Sequence, residues 1–186
     1  MSNNYCQMCM DVHVKTHEGR AWLQTQYEAL EGLQEVIADG DTELSDETFY
    51  EDANKLLVED GDPPVDDALL ACVKRWDPIG TTPLLGFELE VESDGDVTIT
   101  DDSENAELER IADFLQIYLQ RHDPEGVQTF EYAFTGDKHR PGTFGGGACF
   151  ITKDKIEWIA TNNWLAEKMA AHEEGLKARE DKSHDD

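Results

Sequence analysis

LGFELEVESDGDVTIT, residues 85–100, is the stretch of sequence that decides the fold class. Apolar residues alternate with glutamates up to an Asp-Gly pair, and a second alternating run follows it. Alternation with a period of two on both sides of an Asp-Gly pair predicts a β-hairpin. Because successive side chains of a strand point to opposite faces, Glu88, Glu90 and Glu92 should lie on one face of the sheet.

Helices and further strands are predicted on both sides of the hairpin. Apolar residues recur at helical spacing in five segments, 19–38, 45–58, 62–76, 108–121 and 162–176. Short apolar and aromatic runs bounded by turn residues predict further strands at 127–134, 148–152 and 156–160. The predicted fold is α+β, with an N-terminal three-helix segment followed by a mainly antiparallel sheet of about five strands covered by two helices.

The same pattern predicts the division of the chain. We expect a helical N-terminal region over residues 1–76, a linker rich in Pro and Gly over 77–83, an α+β sheet domain over 84–176 and a charged tail over 177–186. The chain has 186 residues, enough to bury a core without disulfides, and its four cysteines are too few for a disulfide scaffold.

The net charge of −27 is concentrated in two blocks. Residues 39–67 hold twelve carboxylates against Lys55, and residues 88–113 hold eleven against Arg110. Such charge repels nucleic acid and anionic membranes and attracts basic partners. The sequence has neither the pattern of a secretory signal nor a long apolar run, so we expect a cytoplasmic protein.

The acidic blocks contain two regular rows of carboxylates. Glu43, Glu47 and Glu51 recur every four residues, about 6 Å apart along a helix, and the hairpin row has a spacing of about 6.6–6.8 Å. Both spacings resemble that of phosphates along a nucleic-acid strand. The alternative is a solvated acidic face without a partner. The predicted partner-binding residues are Asp39, Asp41, Glu43, Asp46, Glu47, Glu51, Asp52, Glu88, Glu90, Glu92, Asp94 and Asp96.

The N-terminal segment contains residue types that bind zinc: Cys6, Cys9, His13 and His17. On one helix these four would span about 16 Å, so a zinc site needs a knuckle at Cys6 and Cys9 before the helix begins. The alternative is a frayed terminus or a helix face that carries thiols. No other cofactor is expected.

A glycine-rich loop at residues 135–147, TGDKHRPGTFGGG, is a candidate ligand site. It groups Lys138, His139, Arg140 and Phe144, and its glycines would let backbone approach an anion closely. Cys149 and His139 could act as nucleophile and base. The alternatives are a long hairpin connection whose glycines permit tight strand entry and, for Cys149, a buried inert thiol.

The segment RPGTFGGGACFIT, residues 140–152, resembles short hypothetical proteins encoded by phages and plasmids. In composition the chain is similar to acidic anti-restriction and anti-CRISPR proteins that mimic nucleic acid. The resemblance implies a counter-defence protein, and it brings no activity and no functional residue with it. We therefore predict a non-enzymatic inhibitor or regulator that binds a basic nucleic-acid-binding protein. The alternatives are a small enzyme or ligand-binding domain centred on residues 135–147 and a zinc-stabilised interaction module.

Overall fold

The computed structural model describes residues 4–38, 48–76, 84–92, 94–100, 107–136 and 145–183. Within these ranges the chain forms six strands and five helices, which confirms the predicted α+β class. Their order is β1 (Asn4–Val12), α1 (His17–Ala38), α2 (Phe49–Glu59), α3 (Asp67–Trp76), β2 (Glu88–Val91), β3 (Val97–Thr100), α4 (Leu108–His122), β4 (Gln128–Gly136), β5 (Gly145–Ile151), β6 (Ile156–Ala160) and α5 (Thr161–Ser183).

The strands form one antiparallel sheet with the order β2-β3-β1-β4-β5-β6. The first strand of the chain therefore lies in the middle of the sheet. The prediction that helices precede the sheet is wrong in this detail, and so is the count of about five strands. Met8, Met10 and Val12 are buried between exposed neighbours, as in a strand with one buried face. The sequence did not predict this strand, because methionine is a weak strand signal. The cysteines and histidines of the segment also favoured a metal site as its interpretation.

Buried residues of α1, α2, α3 and α4 form one hydrophobic cluster with one face of the sheet. Trp22 of α1 stacks on Phe114 of α4 with ring centroids 5.9 Å apart, and Phe87 lies 5.6 Å from Phe114. The cluster includes residues on both sides of the predicted linker at 77–83. More helices therefore cover this face than the two that were predicted, while α5 contacts β5 and β6.

Helix α3 begins at Asp67, five residues later than predicted. The chain through the two prolines stays non-helical because Asn54 of α2 holds it. The Asn54 amide accepts a hydrogen bond from the Val65 N–H at 2.9 Å and donates to the Val65 carbonyl at 3.3 Å. Asp66 then supplies the cap, accepting the Ala68 N–H at 2.8 Å.

The predicted hairpin is confirmed as β2 and β3. Gly95 has φ +100°, and its N–H donates to the Glu92 carbonyl at 2.9 Å, while the Glu92 N–H donates to the Asp96 carbonyl at 2.8 Å. Glycine adopts this backbone conformation without strain. A side chain there would also meet Arg20, whose Nη1 would lie 2.4 Å from the added Cβ.

Candidate functional site

The face of the sheet turned away from α1–α4 is exposed along its strands, and we call it the open face. The alternation of β1 sets it: Asp11 is exposed between Met10 and Val12, which are buried. The register carries the same alternation across the other strands. The open face consists of Gln7, Cys9, Asp11, Glu88, Glu90, Thr98, Thr100, Thr129, Glu131, Ala133, Gly146, Ala148, Phe150, Glu157 and Ile159.

Every carboxylate in the described strands lies on the open face. Burial of an ionised carboxylate without a partner costs several kcal/mol, so these side chains take the solvent side. No residue of the six described strands is Lys or Arg. The strands therefore contribute negative charge alone to this face. The five carboxylates belong to Asp11, Glu88, Glu90, Glu131 and Glu157.

The strand register arranges these carboxylates in two dimensions. Glu90 pairs with Thr98, and Thr98 pairs in turn with Asp11. Two strand steps separate Glu90 from Asp11, or about 9–10 Å across the sheet, while Glu88 and Glu90 are about 6.6–6.8 Å apart along β2. The row predicted along one strand is therefore part of a wider acidic surface.

Most of the open-face carboxylates are free to attract a partner. Glu157 forms an ion pair with Lys155 at 2.7 Å between Nζ and Oε2. The carboxylates of Asp11, Glu88, Glu90 and Glu131 make no ion pair with the described part of the chain. A partner with basic side chains could pair with them without first breaking an internal ion pair.

The open face is grooved and partly apolar. One groove of about 640 Å³ lies over β1, β4, β5 and β6 and is lined by Asp11, Glu131 and Phe150 among others. A second groove of about 670 Å³ continues from it toward Trp164 and Leu165 near the start of α5, and the two share Glu131, Ala148 and Ile159. Phe150 is 40% exposed, so the face offers apolar contact area beside its charges.

The helical acidic row is described only in part. Asp39, Asp41, Glu43, Asp46 and Glu47 lie outside the described residues. Glu51 and Asp52 lie on α2, which packs against α1 and α3 in the helical layer. The described members of the two predicted rows are therefore on different sides of the sheet.

The two predicted partner-binding carboxylates on α2, Glu51 and Asp52, already have partners. Glu51 forms an ion pair with Lys74, and the hydrogen bond from Lys74 is the main cause that lowers the pKa of Glu51. Asp52 pairs with Lys55 at 2.7 Å and accepts a hydrogen bond from Thr48 at 2.6 Å. The hydrogen bonds from Lys55 and Thr48 lower the pKa of Asp52. These two residues are less suited to bind a partner than the open face.

The remaining predicted carboxylates lie at the tip of the β2–β3 hairpin. Glu92, Asp94 and Asp96 are exposed there, and Asp94 Oδ1 accepts the Asp96 N–H at 3.3 Å. They extend the negative charge of β2 beyond the end of the strand.

The predicted zinc residues do not form the knuckle that a site would need. Cys6 and Cys9 both lie within β1, which is continuous from Asn4 to Val12, so there is no chain reversal between them. His13 follows β1, where its backbone pairs with Gln128, and His17 begins α1. Among the described residues, no three His, Cys, Asp or Glu form a group that could hold a metal.

The basic residues of the glycine-rich loop, Lys138, His139 and Arg140, lie outside the described residues together with Phe144. The glycines that follow belong to β5, which begins at Gly145 rather than at Ala148 as predicted. Close packing within the sheet requires glycine at two of these positions: a Cβ on Gly146 would lie 2.4 Å from the Tyr132 carbonyl oxygen, and a Cβ on Gly147 would lie 1.9 Å from the Ile159 carbonyl oxygen. This packing favours tight strand entry as the reason for these glycines.

Cys149 is buried in the middle of β5, and burial raises its pKa to about 12. The thiolate is the nucleophilic form of cysteine, and at neutral pH this thiol stays protonated. The geometry agrees with the inert buried thiol that was the alternative to a nucleophile.

Comparison of the chain with protein-family models, with curated protein sequences and with solved structures gave no match. Within the described residues, no helix combines the length and the apolarity that a membrane span requires.

Sequence reasoning identified Glu88 and Glu90 but missed three carboxylates of the open face: Asp11, Glu131 and Glu157. A signal was present for two of them, because Glu131 and Glu157 are single charges inside the predicted strands VQTFEYAF and IEWIA. A lone charge in an otherwise apolar strand marks its solvent side. Asp11 was missed because its strand was missed.

Proposed function

We propose that this protein binds a basic, nucleic-acid-binding protein through the open face and acts as an inhibitor or regulator that takes the place of nucleic acid. One observation carries the proposal. All the carboxylates of the described strands lie on the open face, and these strands contain no Lys or Arg. In this proposal the protein acts by binding and performs no chemistry.

The physical basis is the same as for nucleic-acid binding. A groove lined with Lys and Arg holds counterions or phosphates, and an array of fixed carboxylates can replace the phosphates. The backbone of a sheet fixes the spacing of its carboxylates along and across the strands, so binding costs side-chain rotamer freedom but no ordering of the backbone. The attraction should therefore be strong at low salt and weaken as salt screens it.

The apolar groove makes the interface more than electrostatic. Phe150 and Ile159 are exposed between Glu131 and Glu157, so apolar contact lies next to charged positions. Protein interfaces commonly combine an apolar centre with a polar rim. The partner is therefore expected to present basic residues around an apolar or aliphatic side chain. A protein that binds only the phosphates of a nucleic acid does not need that apolar side chain.

The test compares two variants that lose the same number of charges. In the open-face variant, four carboxylates are replaced by amides: Asp11→Asn, Glu88→Gln, Glu90→Gln and Glu131→Gln. The control changes four exposed carboxylates outside the open face that form no ion pair in the described chain: Glu35→Gln, Glu59→Gln, Asp62→Asn and Glu109→Gln.

Immobilised wild-type protein should capture a basic nucleic-acid-binding protein from host lysate at low salt, and duplex DNA or RNA should displace it. The control variant should capture the same protein, and the open-face variant should not. Equal capture by all three proteins would rule the open face out as the contact surface. A partner that nucleic acid fails to displace would rule out mimicry.

A further inference from the structure

The two edge strands of the sheet, β6 and β2, differ in the charges that protect their free edges. In the described part of the chain β6 pairs with β5 alone, so one edge presents unpaired N–H and C=O groups. Natural proteins protect such edges with charges, prolines or bulges. β2, at the opposite end, has two glutamates in four residues, whereas the sequence of β6, IEWIA, has one charge and no proline. The β6 edge is therefore open to pairing with another strand.

Both faces of β6 carry exposed apolar side chains. Ile159 is 54% exposed on the open face, and Trp158 is 41% exposed on the opposite face. The Trp158 ring lies 5.6 Å from Phe130 and 6.0 Å from Tyr132, so it closes the end of the core without being covered itself. A ligand bound to one face would leave the other face exposed. An extension of the sheet beyond β6 covers both at once.

The apolar surface continues from β6 onto α5. Trp164, Leu165 and Met169 are all exposed, Met169 to 65%. Six of the nine large hydrophobic side chains that are exposed in the described chain lie between residues 145 and 183. Contiguous exposed apolar surface of this kind marks an interaction site.

The charge of this segment favours a second copy of the chain over a basic partner. Residues 145–183 contain six Lys and Arg against seven Asp and Glu, in a chain whose net charge is −27. The segment therefore does not select a basic partner, unlike the open face. Its nearly balanced charge adds little to the repulsion between two acidic chains when a copy of the same segment approaches, and charges of both signs can pair across a two-fold axis.

We propose that a second copy of this chain pairs with the β6 edge in antiparallel orientation, with the α5 helices packed beside the junction. The two-fold axis of an antiparallel strand pair is perpendicular to the sheet, so residues that face each other lie on the same side. The dimer thus has one continuous sheet with both open faces on the same side. This doubles the acidic surface available to a partner.

The experiment measures the mass of the full chain by light scattering and sedimentation over a range of concentrations and salt. The wild-type protein should form a dimer of two 21.0 kDa chains. Dimerisation should strengthen with salt, which screens the repulsion between two acidic copies. This is the opposite of the salt dependence expected for a basic partner. Failure of the dimer proposal can therefore be distinguished from failure of the proposed function.

Ile159→Lys should raise the dissociation constant of the dimer by at least about tenfold, because each of the two copies places one lysine charge in the interface. Val58→Lys is the matched control, since Val58 is 48% exposed on α2, a helix that packs against α1 and α3. Hydrogen exchange provides a second test that uses the wild-type protein alone. The β6 amides should be more protected from exchange in the dimer than in the dilute monomer. A monomer at every concentration, or a dimer in which β6 exchange does not change, would overturn the proposal.

Discussion

The ring of Tyr132 occupies the space that a side chain at Gly147 would need. A Cβ on Gly147 would lie 2.5 Å from the Tyr132 hydroxyl oxygen and 1.9 Å from the Ile159 carbonyl oxygen. The Tyr132 hydroxyl reaches over β5 and donates to that carbonyl at 3.4 Å. The glycine therefore lets one side chain of β4 contact β6, which fixes the end of the sheet that carries α5.

Gly147→Ala should lower the free energy of unfolding by about 1–3 kcal/mol, the usual cost of adding atoms to a filled space. Gly145→Ala is the matched control in the same strand, because its Cβ would lie 3.3 Å from the Asn162 amide nitrogen, which can move. Urea unfolding of both variants measures the difference. Equal stability of the two would show that Tyr132 does not constrain this position.

Gln128→Glu should destabilise the protein, and the loss should depend on pH. The buried Gln128 amide donates to the His13 carbonyl at 2.7 Å and accepts the His13 N–H at 3.1 Å. A carboxylate cannot donate, and burial would raise its folded pKa above the unfolded value. The loss relative to wild type should therefore be small below the unfolded pKa and grow as pH rises through the folded pKa. A loss that urea unfolding finds constant between acidic and neutral pH would contradict this role.

Lys74→Met should remove a stabilising contribution that depends on the ionisation of Glu51. The hydrogen bond from Lys74 lowers the pKa of Glu51 below its ordinary value of 4.5. A lowered folded pKa stabilises the protein above the unfolded pKa, and the contribution is lost as pH falls through the folded pKa. Because both side chains are partly exposed, the wild type should exceed the variant by less than about 1 kcal/mol at neutral pH. The difference should vanish at low pH, and a difference that persists there would mean that the Lys74 side chain acts through packing.

Cysteine alkylation should distinguish the open face from the core. Cys9 is exposed on the open face, whereas burial raises the pKa of both Cys72 and Cys149. In the native protein, mass spectrometry should therefore find Cys9 modified much faster than Cys72 or Cys149, and unfolding in urea should make the three rates similar. Fast labelling of native Cys149 would instead restore the case for a reactive thiol.

Local sequence patterns predicted much of the fold. The β2–β3 hairpin followed from its Asp-Gly pair, where Gly95 has the positive φ that glycine favours. Helix α1 followed from its apolar spacing, and β6 was predicted with its observed bounds. The N-terminal strand β1 could not be predicted this way, because its hydrogen bonds go to β3 and β4, which lie far away in sequence.

The candidate site was less predictable, because the open face is a product of register. Glu90 and Asp11 lie about 80 residues apart in the sequence and become neighbours only through Thr98. Charge clustering along the sequence pointed to Glu88 and Glu90, but it gave equal weight to Glu51 and Asp52, whose charges Lys74 and Lys55 already compensate. Clustering along the chain is thus a weaker guide to an acidic surface than alternation within its strands.

The most direct test of the central claim is the dissociation constant of the captured basic partner, measured for wild type, the open-face variant and the four-carboxylate control across a range of salt concentrations. The account predicts that wild type and control bind alike and weaken together as salt rises, and that the open-face variant binds at least about tenfold more weakly with a shallower salt dependence. An equal loss of affinity in the two variants would show that net charge alone attracts the partner, and it would contradict a specific role for the open face.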